Sequence, residues 1–70
     1  MPDMHKVTST LIESVGYNLD REEMTVRFHN GAEYVYSGVP FLVYEALVGA
    51  KSAGAFFINQ VKGKYEVVRR

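Results

Sequence analysis

The chain has 70 residues, eight Lys/Arg against eight Asp/Glu, no cysteine and 47% hydrophobic residues. That length makes one domain with a small core, burying only about 60% of the surface its unfolded chain exposes. Zero formal charge excludes the evident basic excess of a dedicated duplex-DNA binder, and the missing thiols exclude a disulfide framework and thiolate chemistry.

Met1 to Lys6 is polar and lacks the apolar stretch of a signal peptide. We expect it to be loose, with a single ordered domain over about residues 7–66 of the 70. Val7 to Thr10 is rich in β-branched and hydroxyl residues and leads into the sheet. Leu11 to Leu19 reads as the first strand, because Val15, Tyr17 and Leu19 alternate, with Gly16 marking a bulge or a close backbone approach. Asp20 to Glu23 is a charged turn, better read as solvated than as a metal site.

The stretch Met24 to Tyr36 organises the rest. Met24, Val26 and Phe28 alternate with polar residues before Asn30-Gly31, and Tyr34 and Tyr36 alternate with Val35 and Ser37 after it. Asn-Gly between alternating strands predicts a hairpin, and its register decides which side the tyrosines take. A two-residue type I′ loop pairs Arg27 with Tyr34 and Thr25 with Tyr36. It puts Met24, Val26, Phe28 and Val35 on one apolar face and Arg27, His29, Tyr34 and Tyr36 on the other. A three-residue loop shifts the pairing by one and turns both tyrosines onto the Val26/Phe28 face. Asn-Gly favours the first arrangement, an aromatic and basic platform open to water.

Gly38-Val39-Pro40 stops the third strand, and Pro40 suits the start of a helix. Phe41 to Val48 reads as that helix; with Glu45 its one charge, it is expected to be buried over much of its circumference. Ser52 is a good N-cap for a second helix from Ala53 to about Val61, with Ala53, Phe57 and Val61 facing the sheet and Gly63 as its stop. Lys64 to Arg69 alternates enough to be a short fourth strand. The predicted architecture is α+β: an antiparallel three-stranded β-meander with two short C-terminal helices packed on one face, and that candidate fourth strand. The predicted core is Val15, Tyr17, Met24, Val26, Phe28, Val35, Tyr44, Leu47, Phe57 and Val61. The longest apolar run, Val39 to Tyr44, is six residues, against the roughly 20 that span a bilayer, so a cytoplasmic location without membrane contact is expected.

Val15-Gly16-Tyr17, the Val26 and Phe28 strand, Asn30-Gly31 followed by Tyr34 and Tyr36, then Val39-Pro40, Val43-Tyr44 and Leu47, and finally Ala50, Ser52, Gly54 and Phe56-Phe57 together resemble the KTSC domain. That small domain is found at the C-terminus of some lysyl-tRNA synthetases and as stand-alone bacterial and phage proteins. The resemblance covers about residues 7–66 and lies in the order and spacing of the motifs. It implies the α+β fold and no established activity; RNA binding has been suggested for such domains from the synthetase fusion and the aromatic pair. Gly63 to Arg70 resembles the family loosely, so no role of its basic residues is implied.

The residues give little to an enzyme. His5 and His29 fit no catalytic triad and no metal-ligand spacing, so no catalytic residues, metal or cofactor are expected. Gly49 to Gly54 has the wrong order for a phosphate loop and follows a helix. Charge is polarised, however. Residues 1–50 carry three basic against seven acidic side chains, a net of −4, and residues 51–70 carry five against one, a net of +4. Two binding readings follow. The favoured one is a protein partner engaged through Arg27, His29, Tyr34 and Tyr36; the resemblance to the KTSC domain implies that this partner belongs to the transcription or translation machinery, RNA polymerase for example. The alternative is RNA stacked on Tyr34 and Tyr36, with phosphates meeting Lys62, Lys64, Arg69 and Arg70. A neutral chain gains little from counterion release, which counts against RNA.

Overall fold

The computed structural model describes residues 3–70. Five strands, β1 (His5–Lys6), β2 (Ile12–Asn18), β3 (Glu23–Phe28), β4 (Glu33–Ser37) and β5 (Glu66–Arg69), form one sheet in the order β1-β2-β3-β4-β5, every neighbouring pair antiparallel. Two helices, α1 (Phe41–Gly49) and α2 (Ala53–Gln60), lie between β4 and β5 and cover one face. The fold is thus α+β with five strands. The meander read from sequence gains β5 as its true last strand and β1 on the far edge, where His5 and Lys6 pair with Val15 and Ser14. Of the N-terminal stretch expected to be loose, Met1 and Pro2 lie outside the described residues. Among the described residues no helix is long and apolar enough to cross a membrane.

The β3–β4 hairpin settles its register against the two-residue loop. Gly31 N donates to Phe28 O at 3.0 Å and Phe28 N donates to Ala32 O at 2.9 Å, enclosing the three residues His29, Asn30 and Gly31. Gly31 sits at φ +91°, whereas Asn30 is not in the left-handed region that a type I′ turn demands of both residues. The Asn30 side chain instead accepts a hydrogen bond from Ala32 N at 2.9 Å, the local bonding that makes asparagine a turn residue. The pairs are therefore Val26 with Tyr34, Met24 with Tyr36 and Thr25 with Val35. Tyr34 and Tyr36 turn inward with Val26, and Val35 turns outward, where it is nonetheless buried together with its partner Thr25.

A bulge between Ile12 and Ser14 lets Ile12 and Val15, an odd number of residues apart, both point at the helices. Leu19 falls in the loop after β2 and is exposed. The fully buried centre is Ile12, Val15, Met24, Val26, Val39, Leu47 and Val61. Phe57 of α2 clamps it, edge-on to Phe28 at 5.4 Å and to Tyr36 at 5.5 Å. Truncating such a residue to alanine costs about 3–5 kcal/mol, a large part of what a small domain has. The first helix is less buried than its composition predicts: it seals in Leu47 and leaves Leu42 exposed. Its start is fixed from the sheet instead, by Tyr17 Oη donating to Val39 O at 2.6 Å and by a Tyr17–Phe41–Tyr44 aromatic cluster.

Candidate binding groove

The side chains expected to form one platform point in three directions. Arg27 lies on the open face, donating to Glu33 Oε2 from Nε at 3.0 Å and from the guanidinium end at 2.9 Å, with Glu13 at 3.8 Å on its other side. His29 sits beyond the end of β3, its Nε2 2.8 Å from Ser9 O. Tyr34 packs inward, edge-on to Phe28 at 5.7 Å. The four C-terminal cations do not form a cluster either. Arg69 lies over the Tyr34 ring at 5.9 Å, Arg70 approaches Glu33 at 3.8 Å on the open face, and Lys64 is exposed in the turn before β5.

Two of the predicted residues, Tyr36 and Lys62, do meet, in a concavity on the helical side. One wall is the segment before β2. Ser9 Oγ accepts hydrogen bonds from Leu11 N and Ile12 N, both at 3.1 Å, which folds residues 9–12 into a tight hydroxyl-capped turn. His29 holds that turn from the sheet side, through the contact to Ser9 O and through its own N–H donated to Leu11 O at 3.2 Å. The opposite wall is the start of α2, capped by Ser52, whose hydroxyl accepts from Ala55 N at 3.2 Å. The two walls meet at Gly54. A Cβ there would lie 3.1 Å from Ser9 Oγ, so glycine is what lets the helix come this close.

Between the walls runs an open cleft of about 620 Å³, lined by Thr8–Leu11 on one side and Lys51, Ser52, Ala55 and Ile58 on the other. At Leu11 and Ile58, which line both cavities, it continues into a smaller pocket of about 220 Å³ with Phe28, Phe57, Tyr36 and Lys62 around it. Leu11 and Ile58 are 38% and 53% exposed, so the junction is an apolar rim open to water.

Tyr36 is 5% exposed. Among the described residues its hydroxyl donates to no protein acceptor, unlike that of Tyr17, and no buried polar side-chain atom is left unpaired, so the hydroxyl keeps an opening to solvent. Burial, and then the neighbouring Tyr34, push its pKa above the ordinary value of 10.0, so it stays a neutral hydrogen-bond donor. The lining contains no carboxylate, imidazole or thiol, and among the described residues no three metal-binding side chains are grouped. The groove offers apolar walls, hydroxyls, one phenolic donor and a lysine toward each end. Sequence reasoning missed Ser9, Leu11, Lys51, Gly54 and Ile58. The available signals were the Thr8-Ser9-Thr10 hydroxyl run and Ile58, an apolar residue outside the 53/57/61 stripe of α2.

The KTSC domain family model matches residues 8–65. A protein of Tsukamurella paurometabola is 37% identical over 65 residues, covering 93% of this chain and 97% of that one. A protein of Stutzerimonas stutzeri is 42% identical over 53 residues, 76% of this chain and 73% of its own length. The crystal structure of a KTSC domain protein from Yersinia pestis superposes with a TM-score of 0.93 at 31% identity, covering 100% of this chain and 99% of that one. The family match takes in every strand and helix except β1 and β5, and the chain belongs to the KTSC domain family.

Proposed function

We propose that this chain is a non-catalytic interaction domain that binds a segment of another protein in the groove between residues 8–11 and α2. The observation that carries this reading is the small pocket. Its apolar walls hold a free phenolic donor and a lysine, the mixture of anchor pocket and oriented polar group that marks binding hot spots. The adjoining hydroxyl-lined cleft gives a polypeptide backbone something to hydrogen-bond along its length. A protein partner is favoured over RNA on two grounds. The tyrosines that would stack bases lie on the inner face, and the cations that would meet phosphates are dispersed, two of them engaged with Tyr34 and Glu33. The family's occurrence on lysyl-tRNA synthetases directs the search for the partner to components of translation and transcription.

The test is capture from a bacterial lysate by tagged protein, with and without nuclease, using the native chain and Ile58→Glu. Ile58 is exposed, so the variant keeps the fold, verified by its circular dichroism and melting curve, while placing a carboxylate at the groove mouth. A discrete protein retained after nuclease by the native chain and lost by the variant is the expected result. Material that disappears with nuclease and ignores Ile58→Glu would overturn the reading in favour of nucleic acid.

A further inference from the structure

We infer that the small pocket is a receptor for the last residue of the partner chain: a large apolar residue whose α-carboxylate is held by the Tyr36 hydroxyl and the Lys62 ammonium. This rests on the groove reading and specifies its ligand. At about 220 Å³ the pocket is smaller than the roughly 300–1,000 Å³ of sites for drug-sized molecules, and it suits a single large side chain. Four of its six lining residues, Leu11, Phe28, Phe57 and Ile58, are apolar, which selects an aliphatic or aromatic group. The other two, Tyr36 and Lys62, both donate hydrogen bonds, and one is cationic. A pocket that presents two donors, one of them cationic, and no carboxylate fits an anion attached directly to an apolar group.

A chain terminus meets that requirement within one residue, because the side chain and the carboxylate leave the same Cα. The Tyr36 hydroxyl is well suited to this role. Its residue is buried while the hydroxyl itself keeps an opening to solvent, it has no partner within the described protein, and it remains protonated. An incoming carboxylate gives it the acceptor it lacks, in a site where water competes poorly. The rest of the partner segment then leaves past Leu11 and Ile58 into the larger cleft, where Ser52 and the Thr8–Thr10 segment line its path toward Lys51. Recognition of a C-terminal carboxylate is a known mode of peptide capture, and here side-chain donors replace the usual backbone nest.

The experiment uses uniformly ¹⁵N-labelled protein and an N-acetylated tetrapeptide ending in leucine, prepared as the free acid, as the carboxamide, and with two further glycines after the leucine. N-acetyl-leucine is a fourth probe. The free acid is expected to move the amide resonances of Leu11, Phe28, Ile58 and Lys62. The carboxamide and the glycine-extended peptide are expected to bind about tenfold or more weakly, the size of a lost charge-assisted hydrogen bond. Tyr36→Phe keeps the ring and removes a hydroxyl with no protein partner, so it leaves the unfolding curve in place while erasing most of the preference for acid over amide. Lys62→Gln reduces that preference and its salt dependence together. Equal binding of acid and amide would overturn the inference and leave Ile58-dependent protein capture untouched. So would N-acetyl-leucine binding as tightly as the tetrapeptide, which would identify a small-molecule acid as the ligand. Silence of all four amides while that capture persists would also overturn it. Loss of the capture itself would be a failure of the groove reading.

Discussion

The contact between Gly54 and Ser9 can be tested by a change of sign. Replacing glycine by alanine in a helix normally stabilises it, by up to about 1 kcal/mol. Here the new Cβ would stand 3.1 Å from Ser9 Oγ, too close for comfort, while its next neighbour, Leu11 Cβ, is at an ordinary 3.5 Å. A free hydroxyl would rotate away. This one accepts hydrogen bonds from two backbone amides, Leu11 N and Ile12 N, and moving it weakens both. Each such bond is worth about 1 kcal/mol, so losing a good part of two outweighs the helix gain. Gly54→Ala should therefore destabilise the native chain by about 1 kcal/mol. In a Ser9→Ala background, already weaker by about 1–2 kcal/mol from the two orphaned amides, the obstacle is gone and the same change should stabilise by about 0.5 kcal/mol. Urea unfolding followed by circular dichroism measures all four proteins, and the coupling should be about 1.5 kcal/mol. The same sign in both backgrounds would refute the claim that the hydroxyl sets the helix-to-wall distance. Because Ser9 and Gly54 both line the cleft, the cycle tests the shape of the groove as well as the stability of the fold.

Glu22, at φ +53°, is the one non-glycine among the described residues in the left-handed region. Glu22→Gly should relieve that strain by more than it adds to unfolded-chain entropy, raising stability by about 0.5 kcal/mol in the same urea assay. Burial raises the pKa values of Tyr36 and Tyr44, and burial followed by the Glu22 charge raises that of Tyr17, all from 10.0. Between pH 10 and the folded-state values the unfolded chain holds fewer protons than the folded one. Stability should thus be constant below pH 10 with respect to these groups and fall as pH rises through it. Tyr36→Phe should flatten the fall, as read by melting temperature against pH. Arg27 grips Glu33 through two donors, but its side chain is 40% exposed, so Arg27→Ala should cost only about 0.5–1 kcal/mol, less at high salt.

Period-two alternation and the Ser52 and Gly63 punctuation made β2–β4 and both helices legible within a residue or two, since each signal is local. What was not legible was register. Asn30-Gly31 is compatible with two loop lengths, and the shorter loop would have left the Asn30 side chain idle, whereas the longer one uses it to accept from Ala32 N. Burial enforces the same choice from outside the turn. Phe57 on α2 needs aromatic neighbours on the inner face, and only the longer loop turns Tyr36 toward it. A local turn preference worth a few tenths of a kilocalorie cannot stand against the burial of two tyrosines. Strand β1 escaped for the opposite reason. It is two residues long, polar and exposed, and exists because the neighbouring edge of β2 offers it a ladder.

The groove was less legible than the fold because it is made by tertiary contact alone. Tyr36 and Lys62 were singled out from sequence as members of two separate surfaces, an aromatic platform and a basic tail. They line one pocket because the inward register of β4 carries Tyr36 under α2, while the turn after α2, in which Lys62 N donates to Phe57 O at 2.9 Å, puts Lys62 at the same cavity. One residue of slip in the hairpin would leave the pocket without its phenolic donor. The same register shift that buries the platform thus builds the site. The inward tyrosine becomes the polar floor of a pocket whose other walls were read only as core or as surface.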